Sequence, residues 1–94
     1  MSERGKLITL EGVDGAGKSS HIQFIADVLG SAAPAGKERR VIVTREPGGT
    51  DLAERLRKTI LEEPMEPVAE TLLLLAARAD HVHRVLRPAL AAGS

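Results

Sequence analysis

Cysteine is absent from this 94-residue chain. That excludes a disulfide framework and any thiolate metal site or nucleophile, and it fits a reducing compartment. Charge of one sign is not in excess either: 13 Lys and Arg stand against 13 Asp and Glu, a formal net charge of +0. No basic surplus therefore points to nucleic acid. Apolar runs are short, none approaching membrane-spanning length, and the opening "MSERGKLITLEG" turns charged and glycine-bearing too soon for a secretory signal. The remainder, 43% hydrophobic and 28% charged, is the composition of a soluble globular protein of at most one domain with a modest core. The expectation is a cytoplasmic protein that engages neither nucleic acid nor membrane.

What is present follows an α/β order. Leu7-Ile8-Thr9-Leu10 is a short, partly β-branched apolar run that stops at Glu11-Gly12, as a buried strand feeding a tight turn does. "SSHIQFIADVLG" then sets Ile22, Ile25, Ala26 and Leu29 on one helical face, with Gly30 as its C-cap. Residues 30–39 read as an exposed connection, and Val41-Ile42-Val43-Thr44 as a second strand, completing a βαβ unit of right-handed crossover length. Further on, Thr50 or Asp51 caps a helix with the apolar face Leu52, Leu56, Thr59 and Ile60, and "EEPMEP" ends it. A long helical pattern follows from Val68 to about Leu86, nearly all apolar over Leu72–Ala77 as in a helix buried against a sheet, and Pro88 interrupts it. Two strands are few for a parallel sheet covered on both faces, so the chain reads either as a small natural protein or, in the preferred reading, as the N-terminal part of a longer domain.

The chemistry is concentrated between the first strand and its helix. Gly12, Val13, Asp14, Gly15, Ala16, Gly17, Lys18 and Ser19 match G-x-x-x-x-G-K-[ST] at every fixed position, in the strand-to-helix context that gives the pattern meaning. Glycines let successive N–H groups approach an anion, and the helix N-terminus adds positive potential. Lys18 is placed to bridge the β and γ phosphates, and the Ser19 hydroxyl to ligate Mg²⁺ held with ATP. Asp14 is either a solvated turn former or a carboxylate that accepts from a sugar hydroxyl.

Phosphoryl transfer needs a second, anionic substrate held in line. "TREPGGT" follows the second expected strand, at the sheet edge where α/β ligands bind. Arg45 and Glu46 are either strand-end charges or part of that grip, and Arg57 is either a surface arginine or one that reaches a cleft. Arg78 interrupts a leucine–alanine run on a helix expected to be buried, so its guanidinium requires a carboxylate, a carbonyl or a ligand. Asp80, His81 and His83 read as the solvated end of that helix. His-x-His at this spacing does not converge on one metal.

In this order, "TLEGVDGAGKSS", "TREPGGT", "LRKTIL" and "AETLLLLAARADHVHRVLRPAL" closely resemble the bacterial thymidylate kinases over nearly the whole chain. The resemblance implies a P-loop NTPase fold of the nucleoside monophosphate kinase type, with a parallel sheet truncated after the third helix, and residues 1–94 as the N-terminal portion of a single kinase domain. It implies transfer of the ATP γ-phosphate to dTMP with Mg²⁺, and homodimers when the domain is whole. By position, Gly12 to Ser20 resemble the ATP site, Lys18 and Asp14 the catalytic pair, and Asp14 also a contact near the deoxyribose 3′-hydroxyl. Glu46 and Pro47 would line the dTMP pocket, Arg57 would face the acceptor phosphate, and Arg78 would pack on thymine. Leu74 and Leu75 stand where the family commonly stacks an aromatic residue on the base. Gly15 is similar to the class whose catalytic arginine comes from a mobile lid. Another nucleoside monophosphate kinase and a non-catalytic nucleotide-binding module are the alternative readings.

Overall fold

Residues 4–11, 18–31 and 40–94 are described by the structure, a computed structural model. It divides into two units, Met1–Val43 with Ala89–Ser94, and Thr44–Pro88. In the first, helix α1 spans Lys18–Ser31. Its expected inward face, Ile22, Ile25, Ala26 and Leu29, is the half-buried one, while Phe24 and Val28 are exposed. Gly30 lies inside the last turn rather than beyond it, and the Ser31 hydroxyl closes the end on the Val28 carbonyl at 3.1 Å.

No strand occurs among the described residues. The expected strands Leu7–Leu10 and Val41–Thr44 run without a ladder, with Leu7 and Ile8 each 57% exposed. A strand is defined by its neighbour, and two short segments make at best a marginal ribbon. The N-terminal segment instead finds backbone partners near the other end of the chain, where Gly5 donates to the Leu90 carbonyl at 2.7 Å and Lys6 to that of Ser94 at 3.0 Å.

The second unit is a helical hairpin preceded by a structured turn. Helix α2 covers Asp51–Glu62 and α3 covers Pro67–His81. Thr50 is the N-cap of α2, its hydroxyl accepting the Ala53 N–H at 3.0 Å, and acidic Asp51 and Glu54 complement the first-turn dipole. Glu66 caps α3 by accepting from the N–H groups of Val68 and Ala69, with Pro67 in the first helical position. A connection this short makes the helices antiparallel neighbours. The Thr50 hydroxyl confirms it by donating to Asp80 Oδ2 at 2.6 Å, which joins the start of α2 to the end of α3. Ala53 and Ala77, both with no exposed surface, are the small residues that allow close packing.

Three expectations about these helices are corrected. On α2, Ala53, Leu56 and Ile60 turn inward, whereas Leu52 and Thr59 are exposed. On α3, Leu72 and Leu75 are 61% and 56% exposed, so in the described structure the helix is covered along one face, not all round. Nor does Pro88 end it. The chain continues through a π-helical stretch, Val82–Leu86, into α4, Arg87–Ala91. The Arg87 N–H bonds the Val82 carbonyl five residues back, and this wider turn makes room for a pyrrolidine ring that would otherwise strike the carbonyl four residues earlier.

Candidate functional site

The turn before α2 concentrates the polar contacts of the second unit. The Glu46–Pro47 peptide is cis, and Gly48 and Gly49 follow with φ of 144° and 88°, values that L side chains rarely adopt. Glu54 on α2 reaches back to this turn. Its Oε1 accepts from the Gly49 N–H at 3.0 Å and from Arg45 Nε at 3.1 Å, and its Oε2 from Arg45 Nη2 at 2.6 Å. These bonds hold the Glu54 carboxyl far below its ordinary range, at about 2; the Arg45 bond comes first and the Gly49 N–H second. Arg57, one turn further along α2, donates from Nη1 to the Pro47 carbonyl at 3.0 Å.

Glu46 is the hub on the α3 side. Its Oε1 receives Arg78 Nε at 2.8 Å and Nη2 at 2.7 Å, and its Oε2 faces His81 Nδ1 at 2.9 Å. Partial burial pushes this carboxyl upward, but the hydrogen bonds from His81 and Arg78, with the charge of Arg78, outweigh it and leave the group below the usual carboxylate range. His81 Nε2 in turn faces the Thr44 hydroxyl at 2.7 Å. Next to this hub, Asp80 accepts from Thr50 and from Arg84 Nε at 2.8 Å, and those two bonds lower its pKa in that order.

Of the residues singled out from the sequence, Glu46, Pro47, Arg57 and Arg78 thus come together around one turn. Leu74 lies one helical turn before Arg78, with its side chain partly exposed. Arg78 itself is not the buried arginine expected: its side chain is 66% exposed, and its partner is a carboxylate 32 residues earlier. His81, expected at a solvated helix end, is the largest fully buried side chain among the described residues, at 1% exposure. Its place was foreshadowed only by its spacing, four residues after Ala77 and so on the same helical face.

In the first unit, Ser19 and Ser20 sit in the first turn of α1, which holds no acidic residue that would offset the positive end of the helix. Gly12, Val13, Asp14, Gly15, Ala16 and Gly17 lie outside the described residues.

Residues 10–94 match the model of the thymidylate kinase family. The chain belongs to that family. It is 53% identical over 90 residues to a thymidylate kinase of Burkholderia vietnamiensis and 54% identical over 91 residues to one of Methylobacillus flagellatus. These alignments take in 96% and 97% of this chain but 43% and 42% of the relatives. The crystal structure of thymidylate kinase from Ehrlichia chaffeensis superposes with a TM-score of 0.77 at 30% identity, covering 89% of this chain and 47% of that one. The chain therefore has the fold of a P-loop kinase of this family and spans a little under half the length of these relatives. Among the described residues, no helix is long and apolar enough to cross a membrane, and no group of three or more His, Cys, Asp or Glu is placed to hold a metal ion.

Proposed function

We propose that these residues carry the donor loop and the acceptor pocket for transfer of the ATP γ-phosphate to dTMP, giving dTDP and ADP. The observation that carries the reading is the convergence of Glu46, Pro47, Arg57 and Arg78 on one turn. Arg57 supplies positive charge suited to the acceptor phosphate, and the exposed guanidinium of Arg78 offers a face and free N–H groups to a pyrimidine base. Leu74 borders the base in place of the usual aromatic. Gly12 to Ser20 cradle the ATP phosphates, with Lys18 on the transferring group and Asp14 on a sugar hydroxyl. The Ser19 hydroxyl, a hard oxygen donor in the first turn of α1, suits Mg²⁺, which when bound with ATP neutralises polyphosphate charge.

In this reading, residues 1–94 are the N-terminal portion of one cytoplasmic P-loop kinase domain whose parallel sheet includes Leu7–Leu10 and Val41–Thr44, and the whole domain is a homodimer. Relatives about twice as long support this, and by the same reading residues beyond these 94 complete the transfer. Calorimetry with ATP and with dTMP, dUMP, dCMP and AMP tests the proposal. Preferential dTMP binding is expected, weakened by Arg57→Ala or Arg78→Ala without loss of ATP, while Lys18→Ala has the opposite selectivity. Equal binding of all four monophosphates, or of none, overturns the acceptor assignment. Release of ADP on dTMP addition at the rate of a whole thymidylate kinase overturns the claim that further residues are needed.

A further inference from the structure

His81 is the one polar residue buried among the described residues, and both of its ring nitrogens are engaged. Glu46, as a carboxylate, offers only lone pairs, so Nδ1 carries the proton it donates at 2.9 Å. In the neutral ring, Nε2 is then an acceptor, and the Thr44 hydroxyl is its donor at 2.7 Å. The imidazole thus spans the turn from its first residue to its acidic one. Gly49 closes over this arrangement: a Cβ added there would strike the imidazole Cδ2 and Nε2 and the Thr44 hydroxyl. One side chain from α3 therefore sets the path of the backbone from Thr44 through Gly49, and with it the Pro47 carbonyl that Arg57 holds and the Glu46 carboxylate that Arg78 holds.

We propose that His81 is a positioning residue of the acceptor pocket, a buried crosspiece between Thr44 and Glu46 that orients the Glu46–Pro47 turn and, through it, Arg57 and Arg78. It touches no substrate. Its two side-chain hydrogen bonds are both to residues of the acceptor turn, Thr44 and Glu46, so its effect is expected on that side. The pocket's identity as a dTMP site rests on the function proposed above; the crosspiece does not.

The test has two arms on the same chain. Nitrogen-15 NMR of the His81 ring is expected to show a protonated Nδ1 and an acceptor Nε2, and His81→Phe, which keeps a ring but removes both nitrogens, is expected to speed amide exchange at Gly48 and Gly49 while exchange within α2 holds. Calorimetry on His81→Phe is expected to weaken dTMP binding about tenfold and leave ATP unchanged, since two buried hydrogen bonds are lost. His81→Asn, whose amide nitrogen stands near the place of Nδ1, recovers most of that loss. Should His81→Phe fail to fold, Thr44→Val removes one hydroxyl from the other end and is expected to cost about fivefold on dTMP alone. An unchanged dTMP affinity in a folded variant, equal losses for dTMP and ATP, or the opposite ring tautomer overturns the inference. If the unaltered chain does not bind dTMP, the functional proposal fails, and the NMR arm decides the crosspiece by itself.

Discussion

Thr50 does two jobs with one oxygen, and Thr50→Val separates them. Its backbone, at φ −132° and ψ 163°, is extended and suits a β-branched residue, so valine introduces no strain and removes only the hydroxyl. The first loss is the N-cap: the Ala53 N–H, bonded at 3.0 Å, has no helical partner of its own, and loss of such a cap costs about 1 kcal/mol. That corresponds to about a fivefold change in an opening equilibrium. The second loss is the 2.6 Å bond to Asp80, the leading cause of that group's lowered pKa. Asp80 is depressed in the folded state, so its share of stability is present above the ordinary carboxylate pKa and disappears as pH falls through the folded value. Cap loss is insensitive to pH in this range because a hydroxyl does not titrate. Amide exchange followed by NMR should therefore show Ala53 exchanging at least about fivefold faster in Thr50→Val at neutral pH, with the difference shrinking toward the cap contribution in acid. Thr50→Ser, which keeps the oxygen, should stay close to the parent. Unchanged Ala53 exchange in Thr50→Val, or an equal loss in Thr50→Ser, would refute the reasoning.

Glu54 should titrate near 2 in carbon-13 NMR, and Arg45→Gln should move the midpoint up toward 4.5; a parent midpoint already at 4.5 would remove the basis for the Arg45–Glu54–Gly49 linkage. Because the folded pKa is depressed, the stabilisation is complete above pH 4.5 and is lost as pH falls toward about 2; with both partners exposed, salt should weaken it. Two glycine substitutions should act in opposite directions on thermal or denaturant unfolding. Gly49→Ala places a Cβ against His81 and Thr44 at φ 88° and should destabilise by roughly 1–3 kcal/mol, whereas Gly30→Ala, inside α1 with only Val41 Cγ2 at 4.0 Å, should stabilise by roughly 0.5–1 kcal/mol.

Local signals carried far in the helices. The face of α1 and the Thr50 cap of α2 follow from spacing and from one hydroxyl within three residues of the amide it serves. Where the reading failed, the missing information was a neighbour. Apolar density over Leu72–Ala77 says that a surface is able to be buried, not that something covers it, and among the described residues α2 alone packs along α3. Leu7–Leu10 and Val41–Thr44 have strand chemistry but no ladder, for the same reason. Pro88 is a different case: a proline excludes the ordinary α-helical bond, yet one wider turn absorbs it without ending the helix.

For the candidate site, the sequence singles out Glu46, Pro47, Arg57 and Arg78 but not the partners they take in the structure. Glu46 meets Arg78, His81 and, through His81, Thr44 across separations of 32 to 37 residues, beyond the reach of any spacing rule. This changes the argument for Arg78. From the sequence, burial demanded a partner for its charge; in the structure it is mostly exposed, and the same partner has another consequence. A free surface arginine would lose rotamer freedom on gripping a ligand, at a cost of roughly 0.5–1.5 kcal/mol. Glu46 already holds Nε and Nη2, so much of that ordering occurs on folding, while the remaining N–H groups and the guanidinium face stay available. Glu46 is in turn held by His81, which is held by Thr44. Ordering of the exposed Arg78 guanidinium by this buried chain of contacts gives the largest buried side chain of this unit a reason to stand beside its polar turn.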